Sequence, residues 1–497
     1  MLQSDAIPIG SLTEPAPIYQ NYINGNWVSS ETGELYESIN PANTNEVLGR
    51  FPKSSIGDVR VAIDAAKQAF PGWSHTAAPK RGEVIFKLIT LLERNQEELA
   101  YTITKEVGKS IREARGEVAK TIQAMKQFSG EATRLAGETL PSHDEAIFAY
   151  TIREPLGVVG VIAPFNFPLG IGVWKIAPAI IAGNTVVFKP SSTTSLISVK
   201  ILELFEEAGV PPGVINMVFG SGAVIGKEFG ENKELKAVSF TGSTDVGVAL
   251  GKAVTQHGGK MQAEMGGKNP AIILEDADLD LAIDSIVTSG FYDNGQRCTG
   301  TSRLFVPKSI YRDVIDRLVA KAESLIIQDG LNEETTNGPV IDENQLNTYL
   351  HYVQTAIDEG AALETGGKRL TDGNLKHGYF VAPTVFSNMR PDMTIAKEEI
   401  FGPVIGVFEV EDYEEALAMA NDIEFGLSST IYTKDLEKAF HFVRNVHSGV
   451  THVNLPSTYF ENHYPFGGKK ESSIGPREQG STALDFWTDL KTVYMKP

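Results

Sequence analysis

The chain has 497 residues, with 44 Lys and Arg against 63 Asp and Glu, a formal net charge of −19. At 42% hydrophobic and 22% charged residues it has the composition of a soluble globular protein of roughly three folding units, at about 150 residues each. The acidic balance speaks against a nucleic-acid partner, and the single cysteine, Cys298, excludes an intramolecular disulfide or a multi-cysteine metal site and fits a reducing cytoplasm.

Residues 1–17 contain three prolines, no basic segment and no long apolar run, so they read as a flexible leader and not as a signal peptide. Tyr19 to Val28 alternates loosely and predicts a hairpin turning at Asn24-Gly25. Val59, Ala62, Ala66, Ala69 and Phe70 share one face of a predicted helix over 58–70. Lys80 to Gly108 predicts one or two long helices, and Arg112 to Leu135 a further amphipathic one. Leu156 to Trp174 is free of charge for 19 residues, long enough to span a membrane. Pro164, Asn166 and Pro168 interrupt it among four glycines, which predicts a buried strand, a turn and a helix start instead of a span.

After Arg153 the texture changes. VVGVIAP (158–164), TVVFKP (185–190), GVINMVFG (213–220) and KAVSFTG (236–242) are short β-branched runs separated by helical patterns such as Ser195 to Ala208. That spacing implies right-handed βαβ units and a parallel sheet covered on both faces. A second alternating block includes NPAIIL (269–274), RLFVP (303–307), PVIGVFEV (403–410) and SSTIYT (428–433), with helices over 310–325 and 413–421. The fold class is α/β with two such domains. The terminal segment TDLKTVYMKP predicts a strand that must pair with something, a partner subunit being one option.

Three residues stand out chemically. Cys298 follows the Asn294-Gly295 turn, and if it opened a helix the dipole and adjacent Arg297 would favour its thiolate; the alternative is an inert buried thiol. Glu264 precedes Gly266-Gly267 on an irregular backbone, where it serves either as a general base or as a loop charge. Asn166, at the end of an apolar strand, offers an amide to an oxyanion or satisfies its own turn. Two glycine-bearing loops after strands, 219–226 and 240–244, with Lys189 closing an earlier strand, point to a dinucleotide.

Eight segments quoted in chain order, PFNFP (164–168), Lys175, FKPSS (188–192), FTGST (240–244), EMGGKNP (264–270), GQRC (295–298), EEIFGPV (398–404) and PFGGKKESS (465–473), together resemble the aldehyde dehydrogenase superfamily. The resemblance implies that Cys298 attacks an aldehyde, the Asn166 amide and the Cys298 N–H hold the oxyanion, and Glu264 activates the water that hydrolyses the thioester. Lys175 and Glu478 join the catalytic set, Glu478 as a proton relay. The dinucleotide would meet Ile162, Ala163, Pro164 and Phe165, then Ser191 and Ser192, then Gly222 and Gly226. It would go on to Phe240, Gly242 and Ser243, and to Met265 and Gly266. Lys189 would hold the adenosine ribose, Glu399 the nicotinamide ribose, and Phe401 would pack near the ring. Arg297, Phe167 and Trp174 would face the substrate, and no metal is implied.

The same resemblance implies a flexible leader (1–17), a Rossmann-like cofactor domain (18–136 and 158–265) and a catalytic domain (266–465). It adds a connecting segment near the active site (466–480) and a small β oligomerisation arm (137–157 and 481–497), in a homodimer or homotetramer. NAD-preferring relatives commonly place Glu three residues after the lysine of FKP. Ser192 stands there in this chain, which removes repulsion against a 2′-phosphate, so NADP is expected to serve at least as well as NAD. Residues 472–494 and 178–184 are most similar to 2,5-dioxovalerate (α-ketoglutarate semialdehyde) dehydrogenases, and Arg297 then meets the substrate carboxylate or pairs with a neighbouring acid. The runner-up is a non-phosphorylating glyceraldehyde-3-phosphate dehydrogenase, although the loop 457–463 lacks arginine and Phe167 replaces tyrosine. A cysteine hydrolase leaves the cofactor loops unexplained. A crystallin-like, non-catalytic relative is at odds with an intact Cys298 and Glu264, and a CoA-acylating one with Glu264.

Overall fold

The computed structural model describes residues 16–496. The predicted leader therefore lies outside the described residues except for Ala16 and Pro17, and the Pro17 carbonyl accepts the Arg50 N–H at 2.8 Å.

The first sheet has eight strands in the spatial order Asn26–Val28, Asn21–Ile23, Ile215–Met217, Thr185–Lys189, Val158–Ile162, Leu235–Thr241, Lys260–Glu264 and Ser473–Ile474. Strands Ile215–Met217 through Lys260–Glu264 run parallel. Val158–Ile162 and Thr185–Lys189 are buried at every position, which is why their sequences are unbroken β-branched runs instead of alternating ones. Register pairs Ile162 with both Lys189 and Phe240, and Thr241 with Glu264. The carboxyl ends of these strands thus share one edge, the place where open α/β sheets bind ligands. Helix Pro168–Ala182 is apolar on nearly every side and is buried against the sheet; it starts with proline and stops at Gly183 with φ 100°.

The second sheet has seven strands, Ala362–Thr365, Thr384–Ser387, Val404–Val410, Thr301–Pro307, Asn269–Ile273, Ser428–Tyr432 and Val450–Val453, all parallel except the first. Each sheet carries its own apolar layers, with Val159, Ile180 and Phe205 in one and Ile272, Phe305 and Phe408 in the other. These are the two α/β domains expected from the sequence. Among the described residues no helix is long and apolar enough to cross a membrane.

The terminal strand Thr488–Met495 finds its partner in its own chain. It pairs antiparallel with Phe148–Pro155, which also pairs with Thr139–Leu140. Two further expectations shift. The helix predicted to reach Leu135 ends at Glu131, where Arg134 folds back onto the Glu131 carboxylate at 2.6 Å. The glycine-bearing loop 219–226 is short, because Ser221 caps a helix Gly222–Glu231 that absorbs Gly222 and Gly226.

One buried amide ties the arm to the core. Asn184 Oδ1 accepts the N–H groups of Leu156 (2.7 Å) and Gly157 (3.0 Å), and its Nδ2 donates to the carbonyls of Ala179 (3.2 Å) and Trp487 (2.8 Å). Replacing it by leucine orphans buried groups on three segments. Asn184→Leu is expected to lose about 2–3 kcal/mol in urea unfolding followed by tryptophan fluorescence, and an unchanged midpoint would contradict that role.

Candidate active site

The thiol sits on a turn between the two sheets. After helix Leu279–Gly290 the chain makes a 3₁₀ turn, Tyr292–Gly295, in which Asp293 and Asn294 take left-handed φ of 53° and 55°. Such conformations persist only when neighbours over-determine them. Here Asn294 Nδ2 donates to the Gly338 and Pro339 carbonyls at 3.0 and 2.8 Å, and Asn337 Nδ2 donates to Phe291 O at 2.6 Å. At Gly295 (φ 64°) a Cβ would collide with the Gly402 carbonyl, so only glycine fits.

Cys298 follows in a turn before strand Thr301–Pro307, so it does not open a helix and the expected dipole is absent. Asn269, the first residue of its strand, holds this turn. Its Nδ2 donates to the carbonyls of Cys298 (2.7 Å) and Gly300 (2.9 Å), while its Oδ1 accepts Ser428 N–H at 2.9 Å. Gly267 lies so close that a Cβ there would be 2.6 Å from the Cys298 carbonyl.

The second component is the turn before helix Pro168–Ala182. Asn166 is buried and donates one amide N–H to Gln296 O at 2.9 Å, tying it to the thiol's turn. The buried Lys109 donates to Asn166 O at 2.6 Å and to Glu117 at 3.0 Å, with its ammonium 4.0 Å from the centre of the Phe167 ring. Glu117 in turn accepts the Leu169 and Gly170 N–H groups at 3.0 and 3.1 Å, supplying the cap that this helix start lacks.

A cavity of about 160 Å³ opens over Cys298, bounded by Glu264, Phe167, Trp174, Arg297 and Glu478 together with Phe460. Trp174 Nε1 donates to Glu478 at 3.1 Å, and Lys175 pairs with the other Glu478 oxygen while donating to Ser239 at 2.8 Å. Arg297 lines the cavity, but its guanidinium is committed to Asp293 (2.6 Å) and Glu113 (3.0 Å). Of the two roles expected of it, pairing with neighbouring carboxylates is the geometry observed.

Burial dominates the electrostatics. It pushes the Cys298 thiol up to about 12, with the carboxylates Glu399 and Glu264 adding to the effect against the N–H groups of Thr299 and Cys298 itself. Glu264, at the end of its strand, is pushed up to about 8 by burial and then by Glu478. Ser473 Oγ donates to one of its oxygens at 2.6 Å, while Oε1 is buried with no partner. The adjacent arginine thus does not yield a resting thiolate.

The residues expected to hold a dinucleotide fall in two groups. At the sheet edge, Ile162, Ala163, Pro164 and Phe165 end one strand and Lys189, Ser191 and Ser192 the next, while Phe240, Gly242 and Ser243 lead into helix Thr244–Gln256. Lys189 is buried, donates to its neighbour's Pro190 carbonyl at 2.9 Å, and is lowered to about 8 by burial. Ser243 makes no side-chain cap, leaving the N–H groups of that helix start unclaimed by it. A buried lysine without a carboxylate partner among the described residues, on the same sheet edge as a helix start that its cap serine leaves bare, fits an anionic phosphate-bearing group. In the second group the Glu399 carboxylate lies on the Gly266-Gly267 backbone, accepts Gly267 N–H at 3.0 Å, and leaves no room for a Cβ at Gly266. Phe401 has a left-handed φ of 55° and meets Phe165 edge-on at 5.7 Å, and Gln345 Nε2 donates to the Ile400 and Phe401 carbonyls at 3.0 Å. Met265 packs beneath Gly247, and Gly222 and Gly226 have open space around them.

Lys109, Asn269 and Gln345 are not singled out by the sequence. Asn269 lies inside a quoted segment, and a polar residue opening an otherwise apolar strand was its signal. Lys109 and Gln345 act on backbone carbonyls far away in sequence and carry no local signal.

Comparison with known proteins follows from this geometry. A family model described as the aldehyde dehydrogenase family matches residues 27–493. The alpha-ketoglutaric semialdehyde dehydrogenase of Bacillus subtilis (strain 168) is 43% identical over 479 residues, covering 96% of this chain and 98% of that one. The alpha-ketoglutarate semialdehyde dehydrogenase of Haloferax volcanii is 43% identical over 484 residues, covering 97% and 99%. The crystal structure of betaine aldehyde dehydrogenase from Staphylococcus aureus in complex with NAD+ superposes with a TM-score of 0.94 at 34% identity, over 96% of this chain and 94% of that one.

With its thiol raised to about 12, Cys298 is expected to react with iodoacetamide about tenfold faster per pH unit from about pH 7 to about pH 10. The intact mass of the cofactor-free protein reads the rate, and a plateau below about pH 9 would contradict the assignment.

Proposed function

Because the chain belongs to the aldehyde dehydrogenase family, we propose that it oxidises 2,5-dioxovalerate, or a related semialdehyde acid, to the dicarboxylic acid with NADP or NAD as hydride acceptor. The observation that carries the reading is one cavity in which the chain's only thiol and the buried Glu264 carboxylate meet apolar walls. The substrate rests on the two relatives named for α-ketoglutaric semialdehyde, each matched over nearly its whole length.

Cys298 adds to the aldehyde carbon to give a thiohemiacetal. The developing oxyanion takes the second N–H of Asn166, whose first is fixed on Gln296, and the Cys298 backbone N–H. A nicotinamide nucleotide, when bound, would accept the hydride that leaves the thiohemiacetal carbon, and with loss of the oxygen's proton that leaves a thioester on Cys298; Lys189, Glu399 and Phe401 would hold the nucleotide. Glu264 then takes a proton from water, which attacks the thioester and frees the acid. The Lys175–Glu478 pair passes that proton outward. The first sheet, with residues 18–136 and 158–265, carries the cofactor. The second, within 266–465, carries the thiol, and 466–480 closes the site between them. The arm built from 137–157 and 481–497 joins copies of the chain, through exposed Leu140, Phe148, Leu490 and Tyr494.

Cofactor preference turns on Ser192, which is exposed beyond the strand end and offers no carboxylate to a ribose or against a 2′-phosphate. The test follows reduced-cofactor absorbance with 2,5-dioxovalerate, succinate semialdehyde and glyceraldehyde 3-phosphate, each with NAD and NADP. The semialdehyde acids are expected to lead, Cys298→Ser to abolish turnover, and Ser192→Glu to shift kcat/KM toward NAD by about tenfold or more. A preference for the phosphorylated substrate, or an unmoved cofactor ratio in Ser192→Glu, would overturn the corresponding part.

A further inference from the structure

We infer that Lys120 binds the carboxylate of the anionic aldehyde, holding the substrate's charged end away from Cys298 so that the aldehyde end meets the thiol. The inference rests on the semialdehyde-acid reading above and names the residue that selects for it.

Lys120 lies on helix Ile111–Glu131, which presents Glu113, Gly116, Glu117 and Lys120 to the cavity from one face. The cavity's other charges are nearly all committed. Glu113 is paired with Arg297, which also holds Asp293. Glu117 is paired with Lys109 at 3.0 Å, and Glu478 with Lys175. Glu264 accepts from Ser473. Among the described residues, Lys120 is the one cavity cation with no carboxylate partner, and its Nζ donates no hydrogen bond. It rests 3.9 Å from the centre of the Phe460 ring, a contact that aims the ammonium without neutralising it. Burial and then repulsion from Arg297 lower the pKa of its ammonium to about 8, against the attraction of Asp293, and an entering carboxylate would favour the charged form further.

The walls between the two ends suit a short carbon chain. Trp174 meets Phe460 edge-on at 6.3 Å, and Phe460 meets Phe466 at 6.0 Å, lining the cavity with aromatic surface for methylene groups. Arg297 is the less suitable partner, because its Nε and Nη2 already hold Asp293 and Glu113 and its charge is balanced by them. An uncharged aldehyde fills the same walls and leaves Lys120 unpaired.

The experiment compares 2,5-dioxovalerate with pentanal in the wild type, Lys120→Met and Lys120→Arg, with circular dichroism confirming the fold of each. Methionine keeps an unbranched side chain and removes the ammonium that rests on Phe460. The ratio of kcat/KM for the acid over pentanal is expected to fall about 100-fold in Lys120→Met, mainly through a higher KM for the acid, and to recover most of that in Lys120→Arg. A ratio within about threefold of wild type in Lys120→Met overturns the inference, and so does an equal loss on both substrates. A wild type that oxidises pentanal at least as well as the acid overturns the semialdehyde-acid reading and the inference with it. A wild type that prefers the acid, with that preference surviving in Lys120→Met, overturns the inference alone.

Discussion

The Asn269 side chain is the interaction on which the site depends. It begins the first strand of the second sheet, directly after the short link Met265 to Lys268 that leaves Glu264 at the end of the first sheet. Its amide grips the Cys298 and Gly300 carbonyls and is itself oriented by Ser428 N–H. A carboxylate on one sheet and a thiol on the other are therefore fixed by one short linker and one buried amide, although 264 and 298 are well apart in sequence. Gly266 and Gly267 make this possible, since a Cβ at either would strike Glu399 or the Cys298 carbonyl. Leaving such buried groups unpaired costs about 1–3 kcal/mol each, so the turn has little freedom to wander.

Around that joint, burial sets the chemistry. The cavity holds more carboxylates than cations, in keeping with a chain of net charge −19, and each acid is quieted by a specific neighbour. The consequence at rest is a protonated thiol beside a carboxylate that is itself raised to about 8. Binding of a positively charged nicotinamide ring and of the substrate changes the field at both groups, so the reactive state belongs to the loaded site. Among the described residues Lys120 is the cavity cation with no carboxylate pair.

Much of this is legible in the sequence. The β-branched runs became the parallel strands, and their common edge followed from the alternation with helices. Asn24-Gly25 did turn its hairpin, with φ of 52° and 74°. Local pattern failed where a distant partner decides. The thiol's pKa depends on burial and on Glu399, a carboxylate about a hundred residues further along the chain, and Arg297 is captured by Asp293 and by Glu113 on a helix far earlier. The glycines at 222 and 226 resembled a loop because spacing alone does not reveal that Ser221 caps a helix. Lys120 and Gln345 sit on ordinary amphipathic helices and Lys109 on the link between two of them, and only the fold turns these side chains toward the site.

The central claim, that Cys298 carries an acyl group which Glu264 releases, is tested most directly by trapping. Glu264→Gln would be mixed with 2,5-dioxovalerate and NADP, and read by reduced-cofactor absorbance together with intact and peptide mass. The account predicts a single equivalent of reduced cofactor and one added acyl group on the peptide containing Cys298. Continued turnover without an adduct, or an adduct on any other residue, would contradict it.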